Sequence, residues 1–213
     1  MTRPMDIAYQ IIKEKILNGA FLPSQKLIET DLANEINVSR NTIKKVLLQL
    51  QQEQLVDITA NKGASVKSYT LDEVINYFEI REVLEVLVVG KVALNINDME
   101  LKNLEEILAE MSSHLLNNRY DEYSALNKEF HNVIYNASHN IQAVDMINMI
   151  KTQLMRYQIR TILLPGRNKE SFKEHENLLY ALKKHDVTLA ENAIKKHISN
   201  IRKTIENNYS YLV

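Results

Sequence analysis

The amino-acid sequence contains no cysteine, only four glycines and only three prolines among its 213 residues. The lack of cysteine excludes disulfide bonds and thiolate metal sites, and it is typical of proteins from a reducing compartment. We therefore expect a cytoplasmic protein. Because glycine and proline disfavour helices, their scarcity also favours a mainly α-helical fold.

Long hydrophobic runs and a large net charge are missing as well. The longest apolar run, near residues 86–89, is far too short to cross a bilayer, and the first residues lack the apolar core of a signal peptide. The formal net charge is −1, and 45% of the residues are hydrophobic. This composition predicts a soluble globular protein without a membrane segment, built as one large or two small domains.

The charges are distributed unevenly along the chain. Residues 1–70 contain 9 Lys and Arg against 7 Asp and Glu, a balance of +2, whereas the remaining residues contain 17 against 20, a balance of −3. A more positive N-terminal part is typical of a DNA-binding domain. We predict such a domain over residues 1–69, and an all-helical effector-binding and dimerisation domain over residues 70–213.

A predicted helix that begins after Ser39 has two chemically different faces. Ser39 is a good N-cap, and Asn37 before it suits a left-handed turn. The apolar face consists of Ile43, Val46, Leu47 and Leu50, and the polar face of Arg40, Asn41, Thr42, Lys44, Lys45 and Gln49. Arg and Lys neutralise phosphates, and Asn, Gln and Arg pair with base edges, so this helix fits the major groove of DNA. A solvated basic face on an ordinary helix is the alternative.

The segments around this helix favour a winged helix-turn-helix. The pattern predicts helices over residues 7–16 and 29–36, and strands over residues 55–59 and 64–68. Two short helices joined by a tight turn form a helix-turn-helix, and the two strands form a small β-hairpin, or wing. Lys62 and Gly63 at the tip of the hairpin can approach a phosphate closely, although Gly63 also fits an ordinary turn.

The second domain is predicted as an antiparallel six-helix bundle. The first four helices are expected over about residues 70–93, 97–117, 120–137 and 140–164. A fifth helix is expected after the break at Pro165-Gly166, capped at Ser171, and a sixth from Asp186 or Thr188 to about Asn208. Bundle interiors are where ligand and metal sites are built.

Three histidines in this bundle are candidate metal ligands. Asn127 and His131 are four residues apart, so they share one face of the third helix, while His175 and His197 lie on the fifth and sixth helices. Three imidazoles and an amide oxygen can bind zinc, nickel or manganese. The alternative is that they are capping or surface residues, as histidines near helix ends often are, and we assign these roles to His114, His139 and His185. Arg81, Arg156 and Arg160 lie on apolar helices and can reach an effector carboxylate; an ion pair with Glu85 is the alternative for Arg81.

The N-terminal pattern resembles the winged-helix domain of GntR-family bacterial transcription regulators. The resemblance covers about residues 7–67 and lies in four pieces, over residues 16–23, 27–33, 38–47 and 55–66. It implies DNA contacts by Thr30, Ser39, Arg40, Asn41, Thr42, Lys44, Lys45, Lys62 and Gly63. Two departures are visible: Ser24 replaces the usual glycine, and Lys44-Lys45 replaces the usual Arg-Glu, which removes a bidentate guanidinium from that position.

The C-terminal pattern resembles the ligand-binding domain of the FadR-type branch of the same family, in its six-helix form, over about residues 71–206. The matching pieces are residues 80–85, 127–134, 174–178 and 190–197. The resemblance implies that Asn127, His131, His175 and His197 coordinate a divalent metal beneath a pocket for a small carboxylate. Because Asp is the usual first ligand, Asn127 brings no negative charge, and metal affinity is expected to fall.

These observations predict a ligand-responsive DNA-binding transcription regulator, a repressor, that acts as a homodimer on a palindromic operator in double-stranded DNA. The effector is expected to bind one arrangement of the dimer better than another and so shift the DNA-competent population. The alternatives are a metal-dependent enzyme acting on small carboxylates, and a helical interaction module with an empty pocket.

Overall fold

The computed structural model describes residues 3–161 and 164–212; the side chains of residues 156, 158–160, 211 and 212 also lie outside the described part. The chain divides into two compact units. One consists of Met1–Thr70 together with Thr152–Arg156, and the other of Leu71–Lys151 and Tyr157–Leu212. The described part is mainly helical, as the composition predicted.

The first unit is a winged helix-turn-helix. Its elements are α1 (Pro4–Leu17), β1 (Lys26–Leu27), α2 (Glu29–Ile36), α3 (Arg40–Gln52), β2 (Val56–Thr59) and β3 (Gly63–Val66). A hydrophobic core joins them, with Ala8 and Ile12 of α1 packed among the buried side chains of α3. The fold class predicted for this part of the chain is therefore confirmed.

Local sequence explains the turn between α2 and α3. Asn37 ends α2 in the left-handed conformation, with φ of 58°, and an asparagine tolerates this region better than most residues. Ser39 then caps α3, because its hydroxyl oxygen accepts a hydrogen bond from the backbone N–H of Thr42 at 3.1 Å. Both features match the prediction from the sequence.

The sheet has one strand more than the predicted hairpin. The strand order is β1-β3-β2, and both pairs are antiparallel. In β1, Lys26 pairs with Ser65 and Leu27 with Ala64. A strand of two residues shows no alternating pattern, so the sequence did not reveal it. Just before β1, Ser24 has a φ of 61°, a left-handed conformation that glycine adopts without strain.

In the described residues, six more helices follow, and apart from Thr152–Arg156 they belong to the second unit. They are α4 (Leu71–Asn95), α5 (Asp98–Leu116), α6 (Tyr120–Ala137), α7 (Ile141–Thr161), α8 (Arg167–Lys183) and α9 (Val187–Leu212). Asn97 and Glu100 form a capping box at the start of α5. Asp186 rather than Thr188 caps α9, because its carboxylate accepts from the N–H of Leu189 at 2.9 Å.

The start of α8 corrects one prediction. The helix begins at Arg167 rather than at a cap on Ser171, and Gly166 precedes it with a φ of 84°. Gly166 adopts this left-handed conformation without strain, so the helix begins one turn earlier than expected. The extra turn includes Arg167, whose side chain is buried.

The helices of the second unit pack around a shared core. Helix α4 lies against α9, α5 lies against α6 and α8, and α8 also lies against α9. Among the residues described, none of the helices is long and apolar enough to cross a membrane. The buried surfaces of α6, α8 and α9 carry His131, His175 and His197 into the interior of this unit.

Candidate DNA-binding surface and histidine cluster

The outer face of α3 is available to DNA. Ile43 and the other apolar residues of α3 are buried, while Arg40, Asn41, Lys44 and Lys45 are exposed. The Arg40 side chain is 68% exposed, and its Nη2 lies 3.7 Å from a carboxylate oxygen of Glu29. An exposed ion pair of this length is weak, so Arg40 remains accessible to a phosphate or a base.

The other predicted DNA contacts lie near α3 in the sequence or on the wing. Thr30 is exposed in the first turn of α2, and the hydroxyls of Ser39 and Thr42 lie 2.8 Å apart at the cap of α3. Lys62 and Gly63 are exposed at the turn between β2 and β3. Gly63 has a φ of +85°, and a Cβ built there would meet no atom within 4 Å. The turn conformation thus accounts for the glycine, and a phosphate contact stays a prediction.

Three buried histidines converge from three helices: His131 from α6, His175 from α8 and His197 from α9. We call them the histidine cluster. One ring nitrogen from each lies within 4.8 Å of the others, and the Nε2 atoms of His131 and His175 are 3.1 Å apart. Each histidine is at most 4% exposed. The tertiary structure therefore brings together the residues that the sequence placed 44 and 22 positions apart.

A carboxylate orients one of these imidazoles. Nδ1 of His197 lies 2.6 Å from Oε2 of Glu174. Glu174 also accepts two hydrogen bonds from Arg167, at 3.0 and 3.1 Å, and one from Asn200 at 2.8 Å. Because a carboxylate only accepts, Nδ1 of His197 carries the hydrogen and Nε2 keeps its lone pair.

The sequence did not single out Arg167 and Asn200 as partners of the cluster. Their spacing contains a usable signal, since Arg167 precedes Glu174 by two helical turns and Asn200 follows His197 by one. Residues at these spacings share a helix face. Which partner that face meets depends on helix packing, which periodicity does not define.

Burial keeps the histidine cluster neutral. The pKa of His131 falls well below 6.5, first because burial disfavours its charged form and second because of repulsion from the other histidines. The pKa of His175 falls for the same reasons, and burial also lowers the pKa of His197 although Glu174 opposes that shift. Burial raises the pKa of Glu174, but hydrogen bonds from His197 and Arg167 outweigh it and lower the pKa to about 2. Neutral imidazoles are the form that binds a metal.

Unpaired polar atoms accompany the cluster. Among the described residues, Oδ1 of Asn127 and Nδ1 of His131 are buried without a hydrogen-bond partner. Buried polar atoms in folded proteins are normally paired with protein, water or an ion. An arrangement of neutral imidazole nitrogens and an unpaired amide oxygen can hold a divalent cation.

Of the three arginines predicted to bind an effector, only Arg81 has a side chain within the described residues. Arg81 is buried and pairs with Glu85, its Nη2 lying 3.0 Å from Oε1, so the ion pair considered for it is present. The side chains of Arg156 and Arg160 lie outside the described residues.

Of the other histidines, His139 and His185 are exposed at positive φ after α6 and α8, and His114 lies in the last turn of α5.

A cleft lies beside the histidine cluster, between α8 and α9. Its volume is about 640 Å³, and its lining includes Glu174, Arg167 and Asn200. These are the residues that hold the imidazole of His197, whereas the histidines themselves do not line the cleft. Lys173, Lys196 and Lys203 add positive charge to its rim.

Comparison with protein families agrees with this division of the chain. Residues 5–66 match the model of the bacterial regulatory proteins of the gntR family. Residues 76–200 match the model of the FCD domain. The two matches follow one another along the chain, and the second alone covers more than half of it.

Individual relatives give the same result. The chain is 28% identical to the uncharacterized HTH-type transcriptional regulator YdhC of Bacillus subtilis, covering 90% of this chain and 86% of the relative. It is 22% identical to the HTH-type transcriptional repressor RspR of Escherichia coli, covering 92% and 86%. The solved structure of E. coli McbR/YncC has the same fold, with a TM-score of 0.73, 20% identity and coverage of 100% and 98%. YdhC and RspR are both named as transcriptional regulators or repressors, and neither supports the alternative of a metal-dependent enzyme.

Proposed function

The chain belongs to the gntR family of bacterial regulatory proteins, with an FCD domain after its DNA-binding domain, and we propose that it is a metal-containing repressor that responds to a small carboxylate. It binds a palindromic operator through α3 and the wing. The observation that carries this proposal is the pairing of an exposed basic helix in one unit with a buried histidine cluster in the other.

The DNA-binding part of the proposal depends on the exposed cations of α3. Arg40 and Lys44 lie in its first turns, where a recognition helix contacts DNA. Lysine binds phosphate as a point charge, while arginine also pairs with guanine. We therefore assign Lys44 and Lys45 mainly to the backbone and Arg40 to a base edge or a phosphate.

Fluorescence anisotropy with DNA from upstream of its own gene tests this assignment. Arg40→Ala and Lys44→Ala should each weaken binding, and each loss of a phosphate contact should reduce the slope of log affinity against log salt by about 1. Lys102→Ala is the matched control, because Lys102 is an exposed lysine of α5 in the other unit. Unchanged affinity in both α3 variants would contradict the proposal.

The metal-binding part depends on the geometry of the histidine cluster. Two imidazole nitrogens bound to one ion at about 2.0–2.1 Å lie about 2.9–3.4 Å apart, and the Nε2 atoms of His131 and His175 are 3.1 Å apart. A hydrogen bond between two neutral rings has a similar length, but it leaves Oδ1 of Asn127 unpaired. A divalent metal accounts for both observations, and when bound it supplies a positive centre that attracts a carboxylate.

Metal analysis of the purified protein and thermal denaturation with zinc, nickel or manganese test this part. One metal per chain and a higher melting temperature are expected. His175→Ala should abolish both, while His139→Ala, which changes an exposed histidine after α6, should abolish neither. Absence of metal together with no stabilisation by any of the three ions would exclude the metal site.

The homodimer part of the proposal depends on an exposed apolar surface of α4. Ile80, Val83, Leu87 and Leu94 recur at helical spacing and are 47–69% exposed; we call them the α4 stripe. An exposed apolar stripe on a helix marks an interface, and a palindromic operator requires two-fold symmetry. Val83→Glu should convert dimer to monomer in light scattering, whereas Met99→Glu, at an exposed methionine of α5, should not.

A further inference from the structure

A second polar group lies beside the histidine cluster. It consists of the buried residues Arg81 and Glu85 of α4 and Tyr135 of α6, with the half-buried Lys151 of α7. We call it the Arg81 cluster. Nε and Nη2 of Arg81 both lie 3.0 Å from Oε1 of Glu85. The hydroxyl of Tyr135 donates to the same oxygen at 2.7 Å, and Nζ of Lys151 lies 3.5 Å from that hydroxyl.

Hydrogen bonding in the Arg81 cluster is incomplete. Arg81 and Tyr135 both donate to Oε1 of Glu85, while Oε2 of Glu85 and Nη1 of Arg81 are buried without a partner in the described part of the chain. Oδ1 of Asn127 and Nδ1 of His131, both on α6, are also buried without a hydrogen-bond partner in the described residues. An interior with several unpaired donors and acceptors holds water or a polar ligand.

The Arg81 cluster has more cations than anions. Burial and then the charge of Arg81 lower the pKa of Lys151, but only to about 8, so Lys151 is still mostly charged at neutral pH. Burial and the neighbouring carboxylate of Glu85 raise the pKa of Tyr135, so this phenol stays neutral. Two positive side chains therefore share one buried carboxylate. An uncompensated buried charge is costly, and an anionic ligand relieves that cost.

The two clusters are close enough to share one ligand. The rings of His131 and Tyr135 have centroids 6.0 Å apart. The charges of Lys151 and Arg81 both reach His131, where each disfavours protonation of the imidazole. An anion bound at the histidine cluster is therefore next to a second source of positive charge.

From these contacts we infer that the effector is a short dianion, with one acidic group on the metal and a second between Nη1 of Arg81 and Nζ of Lys151. This inference rests on the proposed function, because it requires a metal in the histidine cluster. Three neutral imidazoles and the neutral amide of Asn127 leave a divalent metal with its full charge, and the Arg81 cluster adds another positive charge. Two carboxylates compensate this total positive charge better than one carboxylate does. Lys151 is then a specificity-determining residue.

Calorimetric titration of the zinc-loaded protein with two matched pairs of acids tests the inference. Succinate and butyrate have equal chain length and differ in one carboxylate, as do glutarate and pentanoate. Whichever dicarboxylate binds better should bind at least about tenfold more tightly than the monocarboxylate of the same chain length. Lys151→Met should weaken dicarboxylate binding more than monocarboxylate binding and so remove this advantage, while Lys151→Arg should retain it. Lys102→Met is the surface control.

The outcomes separate this inference from the proposed function. If no acid binds the zinc-loaded protein, both the carboxylate effector and the dianion are overturned. If both members of each pair bind equally, or if Lys151→Met weakens both alike, only the dianion is overturned. Should Lys151→Met fail to fold by circular dichroism, Asn127→Asp gives an independent test: one added negative charge beside the metal should reduce the dicarboxylate preference, and an unchanged preference would contradict the inference.

Discussion

Nδ1 of His197 lies 2.6 Å from Oε2 of Glu174, and Arg167 binds the same carboxylate through both of its terminal nitrogens. This pairing directs Nε2 of His197 toward the other two histidines. The arrangement matches the carboxylate–histidine pairs that orient metal ligands in other proteins. Helix α8 thus contributes two adjacent residues to the site: Glu174 holds one imidazole, and His175 supplies another.

Replacing Glu174 should weaken metal binding without removing a ligand. Glu174→Gln loses the charge that favours Nδ1–H of His197, and loss of such a partner typically costs about 10–100-fold in metal affinity. Competition with a zinc chelator measures the change. Glu176→Gln, at an exposed position of the same helix, is the control. Equal affinities in the two variants would show that the carboxylate does not act on the metal.

Asn127→Asp should strengthen metal binding. Asn127 lies one helical turn before His131, and its buried oxygen has no partner in the described part of the chain. A carboxylate there adds negative charge to the ligand set, so zinc affinity should rise by about tenfold or more. Asn132→Asp, on the exposed side of the same helix, should leave affinity unchanged. If Asn127→Asp also has no effect, residue 127 is not a ligand.

The metal-free protein should lose stability on acidification. Burial lowers the pKa of all three histidines of the cluster below 6.5, so below pH 6.5 the unfolded chain binds protons that the folded chain does not. Stability is then full above this pH and falls toward the folded pKa values, by about 1.4 kcal/mol per pH unit for each histidine. Melting temperatures in a chelator between pH 8 and 5 measure this loss. His175→Asn should make the melting temperature depend less steeply on pH. The same slope in the variant and the original protein would argue against a buried neutral His175.

Two ion pairs with the same spacing should differ strongly in their effect on stability. Arg81 and Glu85 have side chains 3% and 0% exposed, whereas Lys102 and Glu106 are 75% and 64% exposed. Glu85→Ala leaves a buried guanidinium unpaired and should cost about 3–5 kcal/mol of unfolding free energy. Glu106→Ala should change it by less than about 0.5 kcal/mol. Denaturant titration of both variants measures the difference, and similar values would contradict the burial of the first pair.

The cap of α3 should be measurable as well. Ser39→Ala removes the acceptor of the Thr42 N–H and should destabilise the first unit by about 1 kcal/mol. Ser39→Asn retains a capping oxygen and should therefore keep most of the stability that Ser39→Ala loses. Denaturant titration monitored by circular dichroism distinguishes the variants. If Ser39→Asn is as destabilised as Ser39→Ala, the loss arises from something other than capping.

The sequence alone determined the features that depend on local interactions. The left-handed turn at Asn37, the cap at Ser39 and the exposed cations of α3 follow from backbone preferences and from a period of 3.6 residues. The same periodicity located the six helices of the second unit to within a few residues. Resemblance to known regulators identified the histidines as a set, and spacing alone did not.

Only the tertiary structure decided which side chains meet. The contact of Glu174 with His197 joins α8 to α9, and that of Tyr135 with Glu85 joins α6 to α4. Such contacts depend on the rotation of each helix about its axis and on its crossing with a neighbour, which a one-dimensional pattern does not contain. The short strand β1 likewise exists because β3 pairs with it. Local periodicity defines the faces of the helices, and packing in three dimensions determines the chemistry between them.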